Sequence, residues 1–162
     1  IIMSMVEIHN SVAKVYEENK ETLEIFECLD EFSDTQNFCD HYGFDIEDSC
    51  NAILIKAKKP EEFYAMFCVL GANRLDVNHK AKEAMGAKRV SFASREEAET
   101  VTGQIYGGIS PLGLPENIKV YMDKNVTDRE KLFIGAGNRV SKFFLSPETL
   151  IDLSSAKVLD LT

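Results

Sequence analysis

The sequence predicts an α+β domain, on three observations. Apolar residues recur at helical three- and four-residue steps in some segments and as short runs or alternations in at least six others. Glycine, proline or a capping residue stands between most of these segments. There is no repeat and no low-complexity tract. A chain of 162 residues suits one domain with a sizeable core. Residues 44–162 read as its main body, and residues 1–43 as a helix, strand and short helix of the same domain.

The elements follow in order. Met5, Ile8, Val12, Val15 and Tyr16 make one apolar stripe, predicting an amphipathic helix over 3–20. Leu23 and Ile25 alternate with polar neighbours, as a half-exposed strand over 22–29 does. Ser33 is placed to cap a helix from Asp34 to His41, with Gly43 ending it. The runs 51–57 and 63–70 read as a hairpin, and the second is apolar on both faces, as a central strand is. A helix over 75–85 ends at Gly86, and a strand over 88–93 follows. Ser94 with Glu97 is a capping box opening a helix from Arg95 to Thr102. Strands are expected at 118–123, at 131–138 running into a glycine turn, and at Lys142–Leu145. Pro147 then starts a helix, and an edge strand follows from Ala156.

The net charge of −9 argues against generic nucleic-acid binding, but its distribution is uneven. Residues 1–48 hold 2 basic and 13 acidic side chains, whereas residues 49–95 hold 9 basic and 4 acidic. Lys56, Lys58, Lys59, Arg74 and Lys80 in that middle segment are candidates for a phosphate-facing surface; a solvated face on a strand and helix is the alternative. No apolar run reaches the roughly 18 residues that span a membrane. The start lacks the basic region and cleavage site of a signal peptide, and a cytoplasmic location is expected. Cys28, Cys39, Cys50 and Cys68 form no CxxC pair and no zinc-type spacing with histidine, so no metal is expected; reduced, partly buried thiols are expected, with a disulfide pair as the alternative.

The loop from Gly107 to Pro115, GGISPLGLP, is the strongest local signal. Its glycines let backbone N–H groups approach a ligand, and its prolines fix its shape; a tight helix-to-strand connection would use the same residues. Gly135-Ala136-Gly137-Asn138 after an apolar strand is weaker, and a bare turn explains it equally well. No dinucleotide fingerprint, phosphate loop or nucleophile elbow is present. His9, His41 and His79 read as surface residues, with Asp76 and His79 placed to pair locally. Cys50 has no base nearby in sequence to make it a nucleophile.

Three stretches together resemble the YbaK/EbsC and prolyl-tRNA-synthetase insertion family. They are Arg74-Leu75-Asp76 with Gly86-Ala87-Lys88-Arg89-Val90, then Gly103 with Gly107 to Pro115, and then Gly135 to Arg139 followed by Leu145-Ser146-Pro147. The similarity covers about residues 44–153. It implies a mixed, largely antiparallel curved sheet flanked by helices, and an aminoacyl-tRNA deacylase that removes a small mischarged amino acid, alanine or cysteine on proline tRNA. It implies a ribose-assisted reaction with no cofactor, and as partners the acceptor end of tRNA and an aminoacyl-tRNA synthetase. The roles it implies here are backbone oxyanion donation by Gly107, Gly108, Ile109 and Ser110, and substrate binding by Pro111, Gly113, Gly135, Gly137 and Asn138. The family's lysine on the first hairpin strand aligns with Asn51, which supplies a hydrogen bond and no charge. Lys142 is the candidate to supply that charge from another side. A tRNA- or amino-acid-binding module that has lost catalysis is the alternative. An exposed edge strand leaves two arrangements open, a homodimer or cover by the chain itself.

Overall fold

Both faces of the hairpin at the middle of the sequence are apolar, so it needs a packed layer on each side. In the computed structural model, which describes residues 6–162, it has them. The strands are β1 (Glu24–Glu27), β2 (Cys50–Lys59), β3 (Phe63–Leu70), β4 (Arg89–Phe92), β5 (Lys119–Asp123), β6 (Leu132–Gly135), β7 (Ser141–Leu145) and β8 (Lys157–Leu159). The helices are α1 (Asn10–Glu18), α2 (Thr35–Tyr42), α3 (Lys82–Met85), α4 (Arg95–Thr102) and α5 (Pro147–Ser154).

β2 and β3 pair antiparallel from Cys50–Leu70 to Ala57–Phe63. They sit inside a five-stranded sheet of order β4-β2-β3-β5-β8, in which β5 and β8 add in parallel. The strand alternation sends Leu54, Met66 and Cys68 to one face, where they pack with Val12 of α1, Ala98 of α4 and Leu150 of α5. Ile55, Ala65 and Phe67 point to the other face and meet Leu75, Ala81, Met85 and Leu161. A second sheet, β1-β7-β6, is antiparallel and touches the first through a bridge between Ser49 and Phe133. Its outer face carries Phe26, Phe133 and Phe144 against Phe38 of α2 and Phe44, and ring centroids there lie 5.1–5.2 Å apart for Phe38–Phe44 and Phe26–Phe44. The α+β class with a mixed, largely antiparallel sheet is what the chain has, with its strands divided between two sheets.

Local differences have local causes. The first helix begins at Asn10, where His9 accepts the Ser11 amide, and the predicted stretch 3–5 lies outside the described residues. Asp34, not Ser33, caps α2 by accepting the Asn37 amide, which leaves Ser33 to turn inward. The predicted 75–85 helix opens as a π-turn over Val77–Ala81 capped by Asp76, and is α-helical only from Lys82. Ser94 and Glu97 form the expected capping box. All four cysteines are free and buried. No helix among the described residues is long and apolar enough to cross a membrane.

Candidate functional site

The chain after α4 is shaped by its own polar groups. Gln104, buried, donates to the Leu112 carbonyl at 2.9 Å and accepts the Ser110 amide at 2.6 Å, bracing the loop across its base. The Leu112 amide donates to the Ser110 hydroxyl, and the Tyr106 amide to Glu99. The Ile105 amide donates to the Gly137 carbonyl, and the Gly137 amide to the Gly108 carbonyl, so the loop is pinned to the glycine turn after β6. Two glycines permit this approach. A side-chain carbon at Gly108 would overlap the Asn138 carbonyl, and one at Gly135 would overlap the Ile109 and Gly108 carbonyls.

This arrangement corrects two expected oxyanion donors. The Gly108 amide is bonded to the Ile105 carbonyl at 3.0 Å, and the Ser110 amide is held by Gln104, so neither is available to a substrate. The amides of Gly107 and Ile109 have no partner among the described residues.

Gly107, Gly108 and Ile109 form one wall of a cavity of about 690 Å³. The start of β2, with Ser49, Cys50 and Asn51, forms another wall, and the Ser33–Thr35 turn a third; Gly135 and Lys142 lie between. Lys142 pairs with Gly135 across β7 and β6, so its side chain rises from the same sheet face on which the loop rests. Its ammonium donates to the Ser33 carbonyl at 3.0 Å and lies 5.0 Å from the Phe38 ring centroid. Only 6% of the residue is exposed, and burial pulls its pKa below the usual 10.5. Arg139 joins the cavity with its guanidinium anchored on Asp30 at 2.7 Å, and Arg95 with its guanidinium 5.5 Å from the exposed Tyr106 ring. Among the described residues Asp34 brings the one carboxylate to the lining, so cations predominate there in a chain of net charge −9.

Asn51 is exposed at the mouth, its amide oxygen 3.5 Å from the Ser49 hydroxyl. Cys50 is no nucleophile: a hydrogen bond with Cys68 and burial push its pKa well up, so it stays a thiol. No histidine among the described residues lines the cavity. His9 caps α1, His41 stacks on Phe32 at 3.7 Å, and His79 pairs with Asp76 at 3.1 Å.

Other expected residues lie elsewhere. Asn138 is buried, accepting from the Val140 amide and Ser141 hydroxyl and donating to the Glu7 carbonyl, which makes it a turn brace. Gly137 packs against the His9 ring, and Pro111 and Gly113 face a separate groove of about 910 Å³. The basic residues do not assemble. Lys58 and Lys59 end β2 while Arg74 follows β3, placing them at opposite ends of the hairpin, roughly 26 Å apart at the rise of a strand. Lys56 is held by Glu97 and Glu62, and Lys80 by Asp160 and the Thr162 carbonyl. Sequence reading missed Gln104, Arg95, Arg139 and the Ser33–Thr35 turn as parts of the site. Arg139 stood inside the quoted glycine-turn motif and Ser33 beside a helix cap; for Gln104 there was no signal.

Comparison with known proteins fits this geometry. EbsC of Enterococcus faecalis, a proposed Cys-tRNA(Pro)/Cys-tRNA(Cys) deacylase, is 29% identical over 92 residues, which is 57% of this chain and 56% of EbsC. The proline–tRNA ligase of Streptococcus pneumoniae is 40% identical over 57 residues, 35% of this chain and 9% of the ligase. The chain thus spans about half of the first relative and a small part of the second. The solved structure of a proposed trans-editing enzyme for prolyl tRNA synthetase shares the fold, with a TM-score of 0.81 at 23% identity over 96% of this chain and 99% of that one. The model of the aminoacyl-tRNA editing domain matches residues 30–153, most of the chain. This chain belongs to the aminoacyl-tRNA editing domain family.

Proposed function

We propose that the chain hydrolyses the ester between a small amino acid and the 3′ end of tRNA. The observation that carries this reading is the pair of unpartnered amides, Gly107 and Ile109, on the wall of a cation-lined cavity. The cavity volume suits an aminoacyl-adenosine. Water adds to the ester carbonyl, and the oxygen that gains charge takes hydrogen bonds from those amides. Such preorganised donors are worth about 3–4 kcal/mol of barrier each. The carbon–oxygen bond to the ribose then breaks, one proton of the attacking water passes to that ribose oxygen, the other is released to solvent, and the amino acid leaves as its carboxylate. Among the described residues the lining offers no histidine, and its only carboxylate, Asp34, caps α2. This favours proton transfer through the neighbouring ribose hydroxyl, as the family resemblance implies. Arg95 and Arg139 draw in the phosphodiester of the acceptor end, and Tyr106 offers a ring on which its terminal base stacks.

The test is deacylation of alanyl-, cysteinyl-, seryl-, prolyl- and aspartyl-tRNA. Turnover of at least one is expected, and it should be sensitive to salt. Hydrolysis of none removes the reading. One observation favours a second reading, a module that binds without catalysis: the residue at the mouth of the cavity is the neutral Asn51. Tight binding of a non-hydrolysable aminoacyl-adenosine without turnover of any ester would select it.

A further inference from the structure

Lys142 is a buried cation that no carboxylate holds. It has three N–H donors and one acceptor within reach, the Ser33 carbonyl, and no ion pair among the described residues. Charges this buried are normally paired, because the desolvation of an ammonium is offset only by a partner. Beside it, Ser33 is 2% exposed and its hydroxyl has no hydrogen-bond partner among the described residues. Buried hydroxyls are rarely left so. Both residues line the same cavity as Gly107 and Ile109. The floor therefore holds unfilled donors, and the charge on it is positive.

We infer that Lys142 and Ser33 form a subsite for a carboxylate on the amino acid itself, so that among small aminoacyl esters the cavity prefers one with an acidic side chain, aspartyl first. The inference rests on the proposed aminoacyl-ester site. An ester carbonyl at the Gly107 and Ile109 amides leaves the rest of the acyl group between the loop and the floor. Lys142 repels the substrate's α-ammonium, which faces away from it. The side chain is then the part that meets the floor. An alanyl or cysteinyl side chain gives Lys142 and Ser33 no oxygen acceptor, whereas a carboxylate accepts from both. The match in length is short: Gly135, directly opposite Lys142, carries no side chain and its backbone underlies the loop.

The experiment uses wild-type protein and the hydrolysis-resistant adenosines bearing aspartyl, asparaginyl or alanyl groups in 3′-amide linkage, with AMP as a fourth ligand, each titrated calorimetrically. The aspartyl analogue should bind about tenfold more tightly than the alanyl one, with the asparaginyl between, a gap fitting one charge-assisted hydrogen bond. Lys142→Met should abolish the aspartyl advantage, Lys142→Arg should keep part of it, and Ser33→Ala should reduce it several-fold. The wild-type comparison stands even where a variant does not fold. Equal or tighter binding of the alanyl analogue overturns the inference. So does an aspartyl advantage that survives in folded Lys142→Met. Lys142-dependent binding of AMP without preference among the acyl groups also overturns it and assigns the floor to a phosphate. Deacylation assays separate the two readings: aspartyl preference in binding with no ester hydrolysed keeps the subsite and removes the deacylase, and hydrolysis without acyl preference does the reverse.

Discussion

Lys56 and Glu97 meet at 2.7 Å, a contact that ties the middle of β2 to the first turn of α4. The same carboxylate accepts the Tyr64 hydroxyl at 2.9 Å and, through its other oxygen, the Ser94 amide at 3.0 Å. Glu97 thus joins a helix cap to both strands of the central hairpin. It also consumes a lysine expected to face RNA.

The first prediction concerns acid stability. Hydrogen bonds from Lys56, the Ser94 backbone and Tyr64 hold the Glu97 pKa down, from 4.5 to about 2. A carboxylate depressed in the folded state contributes stability that is present above its unfolded pKa and lost as pH falls through its folded one. Its contribution should therefore fade between about pH 4.5 and about pH 2. Glu97→Gln should lower the melting temperature at pH 7 and flatten the acid limb in that window. Parallel melts of wild type and variant at pH 7, 4 and 3 check it; curves that stay a constant distance apart would count against it.

The second concerns the seat of the loop. At Gly108 an alanine methyl meets the Asn138 carbonyl, a backbone atom fixed by the turn's own hydrogen bonds. Gly108→Ala should cost about 1–3 kcal/mol, as overpacking does. It should weaken aminoacyl-adenosine binding as well, because Gly107 and Ile109 move with the loop. Urea midpoints and titration of the same protein check both, and an alanine tolerated on both measures contradicts this packing.

The third concerns Gln104, whose amide serves a carbonyl and an N–H at the base of the loop. Gln104→Ala orphans the Leu112 carbonyl and the Ser110 amide, at about 1–3 kcal/mol for each buried group. Hydrogen exchange should show faster opening of residues 104–112 with the sheet protected as before. Uniform destabilisation would instead assign Gln104 to the global core.

What could be read from the sequence was what is local. Ser94 and Glu97 are three residues apart, and the cap they form needs nothing else to specify it. Phe63–Leu70 announced a strand buried on both faces by having no polar side. The π-turn at Val77–Ala81 was invisible because its apolar spacing is that of a helix. The site was harder. Lys142 and Ser33 are 109 residues apart, and their contact exists only once β1, β7 and α2 have packed. The glycine and proline content of 107–115 marked an unusual loop, but composition does not say which amides the loop spends on itself. Gly108 and Ser110 spend theirs; Gly107 and Ile109 do not.

The fourth prediction separates the stability role of Lys142 from its binding role. Burial lowers its pKa, with Cys28, Cys39, Arg139 and Asp34 the other ionisable groups around it. A lysine depressed in the folded state binds fewer protons there than when unfolded, so folding gains stability as pH rises from the folded pKa toward 10.5. Lys142→Met removes a buried charge and one hydrogen bond to Ser33, and should stay within about 1 kcal/mol of wild type at pH 7. Relative to this variant, wild type should gain stability on the alkaline side. Denaturant midpoints measured at intervals between pH 7 and 10 check the sign, and a wild type that loses ground with rising pH refutes the burial argument.

The last prediction is a gain. Asn51 is the second residue of β2, in the cavity lining, exposed and with one long contact, so a longer side chain there disturbs little packing. Asn51→Lys brings an ammonium to the cavity lining and raises its positive charge by one. If hydrolysis in the wild type is limited by charge developing on the ester oxygen, an added cation there should raise the rate about tenfold or more, one such gain per 1.4 kcal/mol of barrier. If binding of the RNA end is limiting, KM should fall with kcat unchanged. Single-turnover deacylation against protein concentration separates the two. A variant that folds as wild type does and changes neither quantity would show that the cavity mouth at 51 does not meet the substrate.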